Sequence, residues 1–145
     1  MVVHLVKLCV GVSSIEQLET WRSEEIARRR AVGEPELIAH VTRMTPTRKD
    51  EIENGGSLYW VINGTIQCRS EIFALENFTD DDGIKRCAIL MTPALIRTAP
   101  APKRPFQGWR YLKAEDAPRD LEGPGEGGDS LPADLRSRLM EIGAW

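Results

Sequence analysis

Hydrophobic residues along this chain change their spacing from segment to segment, and each spacing predicts a different element. Residues 2–10 alternate weakly between apolar and polar side chains and include several β-branched residues, which predicts a first strand. Beyond Gly11 the spacing lengthens to three or four residues, which predicts an amphipathic helix of about 18 residues. The apolar stripe of this helix is formed by Ile15, Leu18, Trp21 or Arg22, and Ile26.

Both ends of this helix carry their own signals. Ser13 and Glu16 have the spacing of a capping box, in which the serine accepts a backbone hydrogen bond and the glutamate reaches back. Three consecutive arginines, residues 28–30, complement the helix dipole at the other end. Gly33 is expected to end the helix, because glycine readily adopts the left-handed conformation found there.

The later apolar segments predict a run of strands. Asn63 and Gly64 separate two of them and form a strong hairpin signal, because a type I′ turn needs positive φ at both central residues. Strict alternation is lost near Ser70, which predicts a bulge or a bend there. The predicted strands cover residues 37–44, 57–62, 65–75 and 84–91, and residues 95–98 resume the last one after a break at Pro93.

Two proline-containing segments predict structure between the strands. Thr45 and Pro46 are expected to open a short helix, because threonine suits the N-cap and proline suits the first helical position. Residues 99–102 read Ala-Pro-Ala-Pro and are expected to form an extended, rod-like linker.

The order of these elements predicts an α+β fold. Its sheet is expected to be mostly antiparallel and curved or barrel-like, which hides strand edges, with one long N-terminal helix and short additional helices. Residues 1–112 are expected to form a single domain. Residues 113–145 are expected to form an acidic, Gly/Pro-rich tail that ends in a short helix.

Charge is unevenly distributed along the chain, whose net charge is −3. Residues 1–112 carry fifteen basic and fourteen acidic side chains, whereas residues 113–145 carry four basic and eight acidic ones. Residues 84–112 contain six cations and no acid. The net negative charge argues against binding to an extended duplex, so this electropositive segment favours a short strand or a single nucleotide.

The end of the electropositive segment interleaves cations with aromatic rings. Trp109 and Phe106 are predicted to stack planar groups, Arg104 and Arg110 to contact phosphate, and Gln107 to read a base edge. In the alternative, the rings anchor the segment to the core and the cations extend into water. The candidate ligand-binding residues are Lys103, Arg104, Phe106, Gln107, Trp109 and Arg110, with Arg69 and Arg86 on an adjacent face.

Arg69 and Arg86 join this candidate site through the predicted strands. If residues 65–75 pair with residues 84–91, the two arginines are expected to lie near one another across the sheet. In the alternative, they are surface charges balanced by Glu71 and Glu76.

The sequence offers little for metal or covalent chemistry. Cys9, Cys68 and Cys87 form no Cys-x-x-Cys pair, and the Asp80–Asp82 turn lacks the spacing of a calcium loop. His40 approaches Cys9 only if the first two strands pair, and both residues are interpreted as structural. We therefore expect no metal and no cofactor, and we assign no catalytic residue.

The chain resembles a known family through a set of short strings. These strings are Leu58-Tyr59-Trp60-Val61-Ile62-Asn63-Gly64, Cys68-Arg69, Asp82-Gly83-Ile84, Arg86-Cys87 and Arg104-Pro105-Phe106-Gln107-Gly108-Trp109-Arg110-Tyr111-Leu112. Through them the chain is similar to an uncharacterised, chiefly alphaproteobacterial family of about 145 residues, a domain of unknown function. A looser likeness in layout is to PUA-like domains such as ASCH and EVE, which implies RNA or modified-base binding by analogy alone.

These observations lead to one main functional hypothesis and two alternatives. The main hypothesis is a small cytoplasmic protein that binds RNA, single-stranded nucleic acid or a nucleotide-like anion through a basic-aromatic surface. The first alternative is a protein-interaction or oligomerisation module, such as a homodimer, with no small ligand. The second is an enzyme acting on a small anionic substrate. No membrane partner is expected, because no apolar run approaches the ~18 residues of a membrane span.

Overall fold

The computed structural model describes residues 2–104 and 106–121, and it confirms the α+β class. The long helix α1 (Ile15–Ala31) follows strand β1 (Val3–Leu8) rather than beginning the chain, and α2 (Lys49–Glu53) is short. A single 3-10 turn covers Ala114–Asp116. The remaining strands are β2 (Ile38–Thr42), β3 (Ser57–Ile62), β4 (Thr65–Thr79), β5 (Lys85–Met91), β6 (Ile96–Pro102) and β7 (Trp109–Lys113). The helix predicted at the end of the tail lies outside the described residues.

The strands form one mixed sheet in the order β2-β5-β4-β3-β1-β7, with β6 also paired to β4. β1 runs parallel to β3, and the other pairs are antiparallel. The predicted barrel is wrong, because within the described residues the sheet stays open between β2 and β7. The sheet is nevertheless curved. β2 and β3 would lie about 14 Å apart in a flat sheet, yet the rings of His40 and Trp60 approach to 5.4 Å.

The 15-residue strand β4 holds the two halves of the sheet together. One of its edges pairs with β3, and the other pairs with β6 through residues 65–69 and with β5 through residues 72–79. The expected break at Pro93 separates β5 from β6. The rod-like linker predicted at residues 99–102 is wrong, because these residues belong to β6. Pro100 has no N–H to donate, and it lies outside the paired positions, beside a register shift between Ile66 and Cys68.

The β3–β4 connection is the hairpin that the sequence predicts. Asn63 and Gly64 have φ values of 53° and 77°, the positive values that a type I′ turn requires. Ser70 itself pairs in register with Leu58, and the irregularities of β4 lie on either side of it. The register shifts between Ile66 and Cys68 and again between Ile72 and Ala74.

Both predicted helix starts need correction. The N-cap of α1 is Ser14, whose Oγ accepts from the Gln17 amide at 3.2 Å, while Gln17 Oε1 accepts from the Ser13 amide at 2.7 Å. The capping box therefore uses glutamine and lies one residue later than predicted. α2 has Arg48 at its N-cap position, and Thr45 does not cap it; the Thr45 hydroxyl donates to Asn77 Oδ1 at 2.8 Å.

Each face of the sheet carries its own hydrophobic core. Alternate residues of β3 divide between them: Trp60 points into the larger core and Tyr59 into the smaller one. α1 covers the larger core through Ile15 and Leu18. The buried stripe of α1 continues with Arg22, which is 3% exposed, and not with Trp21, which is 49% exposed. A charged side chain thus occupies a position that the helical period assigns to the interior.

Candidate anion-binding pocket

A pocket of about 340 Å³ opens between α1, β2 and the segment that follows β1. We call it the Arg22 pocket, after the most buried of its charged residues. Trp21 and Val10 lie at its exposed rim, and the Trp60 indole lies inside. Trp60 is held in place because its Nε1–H donates to Ser70 Oγ at 3.1 Å. The pocket's aliphatic lining consists of Leu8, Val12, Leu18, Ile38 and Met91.

Arg22 brings a buried positive charge into this apolar lining. Its Nη1 donates to the Pro93 carbonyl at a long 3.4 Å, and its Nη2 lies 4.0 Å from Met91 Sδ. Its Nε–H is buried and has no hydrogen-bond partner among the described residues. Burial lowers the pKa of Arg22 to about 10, and only the thiols of Cys68 and Cys9 act against this shift. The guanidinium therefore remains charged at neutral pH without a carboxylate beside it.

His40 is a second polar residue in the lining of the same pocket. Its ring meets the Trp60 indole edge-on at 89°. Its Nε2 is buried and unpartnered within the part of the chain that the structure describes. Burial, together with the charges of Lys7 and Arg22, lowers the pKa of His40 to about 4. His40 is therefore neutral at pH 7 and can offer one donor and one acceptor.

The charged residues that line the pocket itself are cationic, although Glu16 and Glu24 line an adjoining hollow beside Trp21. Lys7 is half-buried and lines the pocket beside Cys9, and none of the described lining residues is acidic. A cavity with an apolar wall and a few convergent polar groups is typical of small-molecule sites. The positive sign of those groups favours a negatively charged ligand.

Cys9 and His40 line the same pocket although β1 and β2 do not pair. They do not form an activated nucleophile. Burial raises the pKa of the Cys9 thiol, and His40 is neutral, so neither residue carries the charge that a thiolate–imidazolium pair needs. The arrangement is suited to binding and not to covalent catalysis.

The predicted basic-aromatic segment, residues 103–111, lies elsewhere on the fold. Trp109 is half-buried, donates through Nε1 to the Met44 carbonyl at 2.8 Å, and packs edge-on against Tyr111. Phe106 packs against the smaller core. The Arg110 guanidinium lies 5.3 Å from the centroid of the Phe106 ring, and it donates to the carbonyls of Gln107 and Trp109. The two rings thus both anchor the segment and leave part of their surface accessible.

The remaining polar residues of this segment are at its surface. Arg104 and Gln107 are exposed, and Lys103 is half-buried. The Lys103 amide donates to the Gly64 carbonyl at 2.9 Å, which fastens the segment to the β3–β4 hairpin. The structure therefore divides the predicted site: Phe106 and Arg110 lie together on the face of the smaller core, whereas Trp109 packs against the larger core on the other face.

Arg69 and Arg86 do not lie side by side. On β4, Arg69 is nine residues away from Phe78, the residue opposite Arg86, which is about 30 Å along a strand. Arg69 binds both carboxylate oxygens of Asp120, at 2.9 and 2.8 Å, and Arg86 binds Asp80 at 2.6 Å. Both guanidinium groups are thus paired with the protein's own carboxylates, and they do not share one site.

Sequence reasoning missed Arg22, Lys7 and Trp60 as site residues. One signal was present: Arg22 falls on the same helical stripe as Ile15, Leu18 and Ile26. An arginine in an apolar stripe is rare without a partner, because burying a guanidinium is costly. The other residues come together only through the curvature of the sheet, which the spacing of residues does not reveal.

The described residues contain neither a metal-binding cluster nor a membrane-spanning helix. No group of three or more His, Cys, Asp or Glu side chains in these ranges has the geometry to hold a metal ion. Neither helix of this part of the chain has the length and apolarity needed to cross a bilayer.

Comparison with known proteins places the chain in a family. Residues 5–145 match the family model described as "Protein of unknown function (DUF1489)". The chain belongs to this family, which confirms the resemblance to a domain of unknown function. No curated protein matches the chain, and no solved structure does. The likeness to PUA-like domains and the alphaproteobacterial distribution remain predictions.

Proposed function

We propose that this protein binds a small organic anion in the Arg22 pocket. The observation that carries the proposal is the guanidinium of Arg22, which lines the pocket, is 3% exposed and has no carboxylate partner among the described residues. Removing a charge from water without a counter-charge costs several kcal/mol. An anion in the pocket offsets that cost, because it supplies the opposite charge.

The surroundings of Arg22 support the same function. Lys7 adds a second cation near the rim, and His40 adds a neutral polar ring. The size of the cavity, about 340 Å³, falls within the range of small-ligand sites. Polar groups with displaced pKa values inside a cleft are typical of functional sites.

The test is a thermal-shift screen with a panel of small carboxylates, phosphates and sulfonates at pH 7. A ligand that binds only the folded state raises the melting temperature, and the rise grows with the logarithm of the ligand concentration once this exceeds Kd. Arg22→Gln removes the pocket's buried charge, and Arg28→Gln removes the same charge from the exposed side of α1. We expect at least one anion to stabilise the wild type and Arg28→Gln but not Arg22→Gln. The absence of any stabilising anion, or equal stabilisation of all three proteins, would disprove the proposal.

The basic-aromatic segment supports a second candidate function, the binding of a nucleotide or a short single-stranded nucleic acid. The specific observation is the Arg110 guanidinium over the Phe106 ring, beside the exposed Arg104 and Gln107. Stacking on such a surface contributes about 1–3 kcal/mol per base, and phosphate contacts weaken with salt.

Fluorescence anisotropy with a labelled single-stranded RNA tests this second candidate. We expect binding that weakens as salt rises and that is lost in the double variant Arg104→Ala/Arg110→Ala. Binding that is unaffected by the double variant, or no binding at low salt, would reject it. Size-exclusion chromatography of the same samples examines the homodimer alternative, for which a dimeric mass without RNA binding is the expected result.

A further inference from the structure

We infer that the ligand of the Arg22 pocket is a monocarboxylic acid with a flat apolar body, of the arylalkyl carboxylate class. This inference rests on the proposed function and specifies its ligand. It follows from three properties of the pocket: how many donors are free, which atoms form the wall, and how the polar end is placed relative to the mouth.

The free donors match one carboxylate. Within the described residues, Nη1 and Nη2 of Arg22 make only long contacts with Pro93 and Met91, which leaves this end of the guanidinium weakly bonded. Two neighbouring N–H groups of a guanidinium form a planar fork that fits the two oxygens of a carboxylate. A phosphate dianion has a third terminal oxygen and a higher charge, which this fork alone does not match.

The wall of the pocket selects an apolar body. Aliphatic side chains from α1, β2 and β5 face the cavity, represented by Leu18, Ile38 and Met91. The indoles of Trp21 and Trp60 add two aromatic surfaces, one at the rim and one inside. Aromatic rings pack well against indoles in offset or edge-on geometry, which favours a flat ligand over a branched or heavily hydroxylated one. A sugar-like ligand would leave its hydroxyl groups without partners on such a wall.

The placement of the charge sets the orientation of the ligand. Arg22 is 3% exposed, whereas Trp21 and Val10 at the rim are 49% and 83% exposed. The acid group therefore enters first and pairs with Arg22, and the apolar body extends toward Trp21. Lys7 lies close enough to affect the pKa of both His40 and Cys9, so it adds attraction for an anion without being buried.

The test compares four compounds by isothermal titration calorimetry: phenylacetate, phenylacetamide, acetate and phenyl phosphate. We expect phenylacetate to bind wild-type protein at least about tenfold more tightly than each of the others, because only it combines one carboxylate with an aryl body. Arg22→Gln is expected to bind phenylacetate and phenylacetamide with equal affinity. Arg22→Lys keeps the charge without the fork and is expected to retain part of the wild-type preference for phenylacetate.

The controls separate folding from recognition. Arg28→Gln on the same helix is expected to bind like the wild type, and Lys7→Gln, which leaves the core intact, is expected to weaken phenylacetate but not phenylacetamide. Tighter binding of phenyl phosphate, or equal binding of acetate and phenylacetate, overturns the inference and leaves the proposed function intact. If none of the anions binds and Arg22→Gln changes nothing, the proposed function fails as well.

Discussion

The Arg69 guanidinium donates two hydrogen bonds to the Asp120 carboxylate, from Nε to Oδ1 at 2.9 Å and from Nη2 to Oδ2 at 2.8 Å. The two residues come from β4 and from the segment that follows β7. The same segment pairs with β6 through an isolated bridge between Thr98 and Asp120, and Leu121 donates to the Arg97 carbonyl. Together these contacts hold the chain against the sheet as far as residue 121.

Breaking the Arg69–Asp120 pair is expected to destabilise the fold. Asp120→Asn removes the counter-charge of a guanidinium that is 19% exposed and also bound to Ser57 Oγ. Since the pair is only partly buried, we expect a loss of about 1–2 kcal/mol in the free energy of unfolding, between the values for surface and buried pairs. Urea denaturation measures this loss in the free energy of unfolding. Asp116→Asn, at an exposed acid of the same segment, is the control, and an equal effect of the two substitutions would contradict the prediction.

Burial makes Arg22 a destabilising residue when no ligand is bound. A pKa lowered to about 10 by burial corresponds to roughly 3 kcal/mol of unfavourable charge burial. We therefore expect Arg22→Met to raise the free energy of unfolding at pH 7 by about 1–3 kcal/mol while abolishing anion binding.

Denaturant titration without added ligand measures this gain. Arg28→Met, on the exposed side of α1, is the matched control and is expected to change stability by less than about 1 kcal/mol. A large destabilisation by Arg22→Met would show that the guanidinium is needed for the fold itself and is not reserved for a ligand.

His40 is expected to report occupancy of the pocket through its titration. Its pKa of about 4 lies below the ordinary value of 6.5, so the unfolded chain takes up a proton first as the pH falls. Stability contributed by His40 is therefore present above pH 6.5 and is lost as the pH falls toward 4. A bound anion favours the charged imidazolium, so we expect the pKa of His40 to rise when a ligand is present.

NMR titration of the histidine ring protons follows this effect residue by residue. His4 provides an internal control, because it packs against Tyr59 on the other face of the sheet, and burial lowers its pKa too. Ligand is expected to move the His40 titration and leave His4 unchanged. A His40 midpoint near 6.5 in the free protein, or equal shifts of the two histidines, would count against the pocket.

The reactivity of Cys9 provides a chemical measure of the positive charge of Arg22. Cys9 is half-buried in the pocket, whereas Cys68 and Cys87 are buried, so alkylating reagents should reach Cys9 first. Iodoacetate carries a carboxylate and iodoacetamide does not, and the ratio of their rate constants cancels any difference in thiolate fraction. We expect this ratio to fall about three- to tenfold in Arg22→Gln and to stay constant in Arg28→Gln. Mass spectrometry at pH 8.5 measures it, and an unchanged ratio in Arg22→Gln would show that the guanidinium does not face incoming anions.

The sequence predicts the local elements well, because each depends on a few neighbouring residues. The hairpin at Asn63 and Gly64 follows from their backbone preferences, and α1 follows from its apolar period. The strand at residues 99–102 was not predictable in this way, since its pairing with β4 overrides the extended-linker preference of two prolines. Where local backbone preference and long-range strand pairing favour different structures, the pairing determines the one that forms.

The site was harder to predict than the fold, for a related reason. The Arg22 pocket draws residues from β1, α1, β2, β3 and β5, and only the curvature of the sheet makes them neighbours. The basic-aromatic segment, in contrast, is contiguous and was recognisable as a unit. Arg69 and Arg86 show the limit of that approach, because both lie on paired strands but at distant positions.

The position of β1 affects how the protein folds during synthesis. β1 is inserted between β3 and β7, so Leu5 has Leu58 on one side and Tyr111 on the other. β1 leaves the ribosome before both of its partner strands, so its pairing cannot be completed until β7 has been translated. Until then its apolar residues are unprotected, and we expect nascent chains of this protein to rely on chaperones that shield this hydrophobic segment.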